Sequence, residues 1–192
     1  MTELNVETMR GPVAMDELGR VLVHEHIFTF NLEYTFNYRP DFFQSSTIDN
    51  AVEELNALKA AGVDTIIDLT VLGIGRYMPG LLEVAARTDL NIVLATGAYT
   101  LNEVPTPFAM IGPGFLCDAP EPMVEHFVRD ITQGIAGTAV KAGELKCAIG
   151  RFEIRPPPNI PIPTPAPITP PITPAAPPET GVLRCLRSTS RA

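Results

Sequence analysis

Two of the three histidines in the chain, His24 and His26, stand one residue apart at the end of an apolar run with the character of a β-strand. Side chains on a strand alternate between its two faces, so we expect both histidines to project from one face, with Leu22 beneath them and Glu25 on the other face. Two imidazoles that converge at a strand end can supply half of a metal site. The spacing alone is equally consistent with two polar side chains at the mouth of a strand.

The length and composition favour a single folded domain with a tail. Of the 192 residues, 45% are hydrophobic, which is enough for a substantial core. No apolar run approaches the roughly 20 residues of a membrane span, and the acidic N-terminal stretch has no apolar segment typical of a secretory signal. The cysteines, Cys117, Cys147 and Cys185, predict neither a disulfide framework nor a paired zinc motif. We therefore expect a cytoplasmic protein without a membrane partner.

The charge and the proline content both change near residue 150. Residues 1–150 carry 9 Lys and Arg against 20 Asp and Glu, whereas residues 151–192 carry 5 Arg against 2 Glu. An acidic body argues against a nucleic-acid partner, because phosphate binding needs clustered positive charge. Between residues 156 and 178, 12 of 23 residues are proline, which predicts polyproline II structure or disorder. We therefore divide the chain into a domain, 1–150, and a low-complexity tail, 151–192.

Within the domain, strand and helix patterns alternate. The predicted strands are Val21–Ile27, Val63–Thr70, Ile92–Thr96 (closed by Gly97) and Glu144–Ile149. The predicted helices run from Ser46 to Gly62, over Leu81–Thr88 behind Pro79, and from Pro122 to Ile131. Residues 1–20 are expected to be irregular and Thr29–Gln44 to form a long aromatic loop. Apolar strands separated by helices predict a parallel sheet of βα units.

The third histidine, His126, lies off the centre of the apolar stripe of the last predicted helix. For this reason we interpret it as a surface or boundary residue rather than as a metal ligand.

The stretch Gly19–Ile27, Gly-Arg-Val-Leu-Val-His-Glu-His-Ile, resembles the N-terminal signature of the phosphotriesterase family, in which G-x-x-L-x-H-E-H closes the first strand of a TIM barrel. Residues 64–70, 92–99 and 137–149 resemble, in order, the second strand, the third strand and the approach to the fourth. The resemblance covers about residues 10–150. It implies an α/β fold with about the first four of the eight βα units, which is a half barrel followed by the proline-rich tail.

The resemblance also implies a centre of two metal ions, usually zinc, at the carboxyl ends of the barrel strands. By position, His24 and His26 would bind one metal, and Lys146, carboxylated to a carbamate, would bridge the two. Tyr99 would border the substrate pocket, although ordinary packing is an open alternative. In the family, a metal-bound hydroxide hydrolyses phosphotriesters, lactones or other esters, so the expected partner is a small-molecule ester.

The same comparison implies that half of the site is missing. Relatives take two further histidines from strands five and six and an aspartate from strand eight, whereas this sequence has neither histidine nor aspartate after residue 150. The catalytic residues are therefore unknown, and we expect a truncated, inactive hydrolase that self-associates through its open sheet edges. The change in composition suggests that the tail is an out-of-frame reading of its gene.

Two other functions remain open from the sequence. The first is a non-enzymatic protein whose proline-rich tail binds SH3-like domains, since Pro-x-x-Pro spacings occur in it. The second is a fragment that binds a single metal ion and has no further activity.

Overall fold

The computed structural model of the chain describes residues 4–100, 104–114 and 118–149. The predicted tail, residues 151–192, lies outside these ranges, so its structure and its proposed binding to SH3-like domains stay predictions.

An antiparallel hairpin opens the fold. Its strands are β1 (Asn5–Thr8) and β2 (Gly11–Ala14). The prediction of an irregular lead-in over residues 1–20 is therefore wrong. The two strands are only four residues long and show little alternation of polar and apolar residues, so a local pattern does not mark them. The hairpin is held partly from outside, since the backbone N–H of Met9 donates to the carbonyl of Ile92 at 2.8 Å.

A four-stranded parallel sheet forms the centre of the fold. In spatial order its strands are β3 (Val21–Glu25), β4 (Thr65–Asp68), β5 (Asn91–Thr100) and β6 (Glu144–Ile149). Each strand pairs in parallel with the next one along the chain. Helices connect the strands, which confirms the predicted α/β class and gives the strand order of the first four units of a TIM barrel.

The helices of the described residues are α1 (Leu32–Tyr38), α2 (Ser45–Ala60), α3 (Met78–Ala85), α4 (Thr106–Ile111) and α5 (Pro122–Thr132). Short 3-10 turns add to them at Met15–Glu17, Pro40–Phe43 and Ile135–Gly137. The structure confirms the predicted helices α2, α3 and α5. Each of them could be predicted because it has an apolar stripe and a clear start or stop signal in the sequence. Helix α4 was not predicted.

Helix α1 corrects the prediction of a long loop over Thr29–Gln44. The side chain of Asn31 caps this helix by accepting the backbone N–H of Tyr34 at 2.9 Å. The helix is rich in aromatic residues, which have only middling helix propensity, and most of its apolar side chains are exposed. The sequence of this segment is therefore typical of a loop that packs on the body of the domain.

The main core lies between the sheet and the helices α2 and α3. The outer face of the sheet contributes Ile66, Ile92 and Leu94, which pack with Leu55 of α2 and Val84 of α3. Complete burial of such side chains contributes roughly 1.5–3 kcal/mol each to stability. This core fixes the strands from the outer side of the sheet. The side chains on the inner face of the sheet take no part in it.

Strand β5 runs through Gly97 instead of ending there, which corrects the predicted strand Ile92–Thr96. Gly97 has a φ of +137°, and it pairs with Lys146 of β6. A Cβ atom at this position would collide with the carbonyl of Lys146. Glycine therefore permits the close approach of β6 to β5 instead of acting as a strand stop.

Two smaller observations concern the remaining sequence predictions. In the part of the chain that the structure describes, no helix is long and apolar enough to cross a membrane. Cys147 is a free, exposed thiol, and Cys117 and Cys185 lie outside the described residues.

Replacing Gly97 with Ala is expected to lower the free energy of unfolding by about 3 kcal/mol, because the new methyl group combines backbone strain with a collision. Chemical denaturation measures this loss. Gly137→Ala is the matched control, since Gly137 also has a positive φ of +75° but no atom within 4 Å of the place that a methyl group would take. It should lose only about 1 kcal/mol. Equal losses in the two variants would contradict the role of the β5–β6 contact.

Candidate metal centre

An irregularity in β3 decides which side chains face which side of the sheet. Leu22 pairs with Ile66, and Glu25 pairs with Asp68, so three steps along β3 match two steps along β4. One extra residue is therefore accommodated as a bulge between the two pairs. Because paired residues in a parallel sheet point to the same side, Leu22 and Glu25 share the helix-facing side with their partners.

His24 and His26 flank Glu25 and so lie on the opposite, inner face of the sheet. Their ring centroids are 5.4 Å apart, with the ring planes at 70° to each other. The ring of His24 is exposed, whereas His26 is half-buried. The structure thus brings the two histidines together as expected, but the prediction that Leu22 lies beneath them is wrong. The bulge turns Leu22 to the other side, where it packs against the helix-facing core.

Lys146 approaches this pair from the other end of the sheet. It lies on β6 next to Gly97, which adds no side chain beside it. Its charge is one of the causes that lower the pKa of His26, although two strands separate β6 from β3. Its neighbours Leu145 and Cys147 are exposed and alternate to the other face. By register and alternation, the three predicted ligands all lie on the inner face of the sheet.

His26 is held in its neutral form. Its pKa is lowered from 6.5 to about 4, mainly because the ring is partly buried, and further by the positive charges of Lys146 and His24. Neutral imidazole is the form that binds a metal ion. The Nδ1 atom of His26 lies 3.0 Å from the hydroxyl of Thr70, so Nε2 is the nitrogen available to a ligand.

Three residues around His26 were missed by sequence reasoning. Asp68, which is 1% exposed, accepts the backbone N–H of Thr70 at 2.8 Å and that of Ile27 at 3.4 Å. Arg76 donates its Nε–H to the carbonyl of Thr70 at 2.8 Å. A signal was present, because Asp68 and Thr70 are polar residues at the carboxyl end of a parallel strand, where functional groups of α/β proteins collect.

Two carboxyl groups lie on the helix-facing side behind the histidines. Burial raises the pKa of Glu25 and of Asp68, and the charge of Asp68 raises that of Glu25 further. Hydrogen bonds from Thr70 and the charge of Arg76 act in the opposite direction on the pKa of Asp68. The Oε2 atom of Glu25 is buried without a hydrogen-bond partner among the described residues. Two carboxyl groups whose burial disfavours the ionised form therefore lie behind the histidine pair.

Tyr99 lines a cavity of about 830 Å³ together with Arg76, Tyr77 and His126. Among the described residues that line this cavity there is none of the three predicted metal ligands, so a role for Tyr99 in substrate binding stays a prediction. His126 is half-buried, and its Nε2 lies 3.7 Å from a carboxylate oxygen of Asp130. This position on α5 agrees with the interpretation of His126 as a boundary residue.

The donor set on the inner face suits a divalent ion. Over residues 4–100, 104–114 and 118–149, no three His, Cys, Asp or Glu side chains come together as a possible metal site. The candidate set is therefore His24, His26 and Lys146, in which a carboxylated lysine would add an anionic oxygen to two imidazole nitrogens. Nitrogen and oxygen donors of this kind fit zinc. Together these donors would serve one ion.

In the metal-free protein, His26 is expected to titrate with a midpoint near pH 4, which ¹H NMR of its ring protons measures. Between pH 6.5 and 4 the unfolded chain binds a proton at this residue that the folded chain does not bind. The contribution of His26 to stability is therefore complete above pH 6.5 and is lost as the pH falls toward 4. In Lys146→Met the midpoint should rise, because one positive charge is removed. A wild-type midpoint near 6.5 would contradict the geometry.

Comparisons with known proteins agree with the resemblance seen in the sequence. A model of the phosphotriesterase family matches residues 4–157. The phosphotriesterase homology protein of Mycobacterium tuberculosis is 52% identical over 150 residues, which is 77% of this chain and 45% of that protein. The aryldialkylphosphatase of Saccharolobus solfataricus is 32% identical over 139 residues, 72% of this chain and 42% of that protein. The chain thus spans less than half the length of these curated relatives.

Solved structures agree with the fold described above. The structure of the phosphotriesterase from Mycobacterium tuberculosis matches with a TM-score of 0.71 at 50% identity, over 76% of this chain and 45% of that one. A double mutant of the organophosphorus hydrolase from Deinococcus radiodurans matches with a TM-score of 0.66 at 32% identity, over 76% of this chain and 44% of that one. These matches confirm that the four strands and their helices form part of a TIM barrel.

Proposed function

Because the chain belongs to the phosphotriesterase family, we propose that it carries the opening half of a metal-dependent hydrolase site for phosphotriesters, lactones or other esters. The proposal is supported by the His24–His26 pair, whose ring centroids are 5.4 Å apart, and by the placement of Lys146 on the same face of the sheet. The aryldialkylphosphatase among the relatives supports a phosphorus ester within this substrate class.

In this proposal, a zinc ion or another divalent metal is held by His24, His26 and the carbamate of Lys146. When bound, such an ion polarises the ester or phosphoryl oxygen and lowers the pKa of water. The chain itself contributes a neutral imidazole at His26 and an amine on Lys146 that can react with carbon dioxide.

We further propose that the 192-residue chain has no hydrolytic activity on its own. The described residues offer donors for one metal, and the sequence has neither histidine nor aspartate after residue 150. The ligands and the base that the family resemblance assigns to later strands therefore have no counterpart in this sequence. The ester substrate would meet only half of the groups that bind and activate it.

Zinc titration of the full chain tests the proposed ligands. His26→Ala and Lys146→Met are each expected to weaken zinc binding at least about 10-fold, because each removes a donor. The matched control is Lys141→Met, which removes a half-buried lysine that lies 3.8 Å from Glu7. A ¹³C NMR carbamate signal after incubation with labelled bicarbonate should be lost in Lys146→Met and kept in Lys141→Met.

Zinc binding that is equal in all these variants would contradict the proposed site. The same preparations are then assayed with aryl phosphotriester, lactone and aryl ester substrates. Each substrate should be hydrolysed no faster than in the metal-containing buffer without protein. Turnover by the wild type that disappears in His24→Ala and His26→Ala would overturn the proposed lack of activity.

We also propose that the chain self-associates through the open edges of its sheet, with a second copy as the partner. Within the described residues, β3 and β6 each pair on one side only. Each edge exposes an apolar side chain, Val23 on β3 at 65% and Leu145 on β6 at 54%. All four strands are parallel, so β6 of one copy can continue into β3 of another. Two copies related by a two-fold axis would form a barrel of about eight parallel strands.

Sedimentation at micromolar concentration is expected to show a dimer or larger species of the wild type. Val23→Lys and Leu145→Lys should shift the population toward monomer, because a charge on an edge strand opposes pairing. Val128→Lys provides the control, since Val128 is 52% exposed on α5 and away from both edges. A monomeric wild type, or an equal effect of all three substitutions, would refute association through the edges.

A further inference from the structure

Thr70 is fixed more firmly than its position in a loop suggests. It follows the end of β4 and is 1% exposed. Its backbone N–H donates to Oδ1 of Asp68 at 2.8 Å, and its carbonyl accepts the Nε–H of Arg76 at 2.8 Å. Both backbone polar groups of Thr70 are therefore bonded to ionisable side chains. A residue that is clamped in this way can set the orientation of a group that it contacts.

The hydroxyl of Thr70 contacts two groups. Its Oγ1 atom lies 3.0 Å from Nδ1 of His26, and the side chain, as a hydrogen-bond donor to the carboxyl group of Asp68, acts to lower the pKa of that group. A hydroxyl has a single proton to donate, and an ionised carboxylate can only accept. The hydroxyl therefore donates to Asp68 and accepts the Nδ1–H of His26. This order of bonds leaves a lone pair on Nε2 of the imidazole.

We propose that Thr70 is a positioning residue that relays the Asp68 carboxyl group to His26, so that the ring carries its proton on Nδ1 and directs Nε2 toward the metal. This inference rests on the proposed metal site. In proteins with bound metal ions, hydrogen bonds to the second ring nitrogen fix the tautomer and the orientation of the ligand. Loss of such a bond typically costs about 10- to 100-fold in metal affinity.

A purely structural role for the Thr70 hydroxyl is the competing explanation, and Thr70→Val separates the two. Valine keeps the branched shape and both backbone hydrogen bonds, but it removes the hydroxyl. Thr70→Ser keeps the hydroxyl and serves as the conservative rescue. The matched control is Thr138→Val, which removes a hydroxyl that donates to the carbonyl of Ile135 at 2.7 Å.

The first measurement uses the full-length, metal-free protein at pH 7, where His26 is neutral. Long-range ¹H–¹⁵N correlation spectra of the imidazoles report which nitrogen carries the proton. We expect the Nδ1–H tautomer of His26 in the wild type, in Thr70→Ser and in Thr138→Val, and a shift toward the Nε2–H tautomer in Thr70→Val. The second measurement is zinc affinity, which should fall about 10- to 100-fold in Thr70→Val and recover in Thr70→Ser.

An Nε2–H tautomer in the wild type would overturn the proposal without any variant, so the test stands even where Thr70→Val does not fold. A folded Thr70→Val with an unchanged tautomer and an unchanged zinc affinity would overturn it as well. A wild type with the Nδ1–H tautomer that binds no zinc would support the relay from Asp68 and would contradict the proposed metal site.

Discussion

The placement of the histidine pair depends on one extra residue in β3. The bulge between Leu22 and Glu25 changes the side of the sheet to which the end of the strand presents its residues. It gives the core an apolar side chain from Leu22 and at the same time turns His24 and His26 to the inner face. Without the shift, strict alternation would direct both imidazoles into the helix-facing core, where they would displace apolar packing.

Polar groups on the helix-facing side of the sheet are connected to the ring of His26. Burial of Asp68 is tolerated because backbone N–H groups and the charge of Arg76 compensate the carboxyl group. The same carboxyl group is joined through Thr70 to the ring of His26. Charge that would be costly as an isolated buried group thus contributes to the orientation of an imidazole, and a network of this kind is rigid because each member is bonded.

The family relationship explains why the four-stranded sheet has two open edges. The chain aligns with less than half of the phosphotriesterase homology protein of Mycobacterium tuberculosis, and its four strands match that part of a barrel. A barrel removes sheet edges only when it is closed. In the described residues the first and last strands of the parallel sheet each lack one neighbour.

The sequence by itself determined the α/β class, three of the helices, the bounds of β6 and the histidine pair, because apolar periodicity, proline and glycine signals and a short motif are all local. The tertiary structure decided the side to which Leu22 points, the passage of β5 through Gly97 and the support of His26 by Thr70. These features depend on strand register and on contacts between residues that are far apart along the chain. Such pairings exist only once the chain has folded, so no local pattern encodes them.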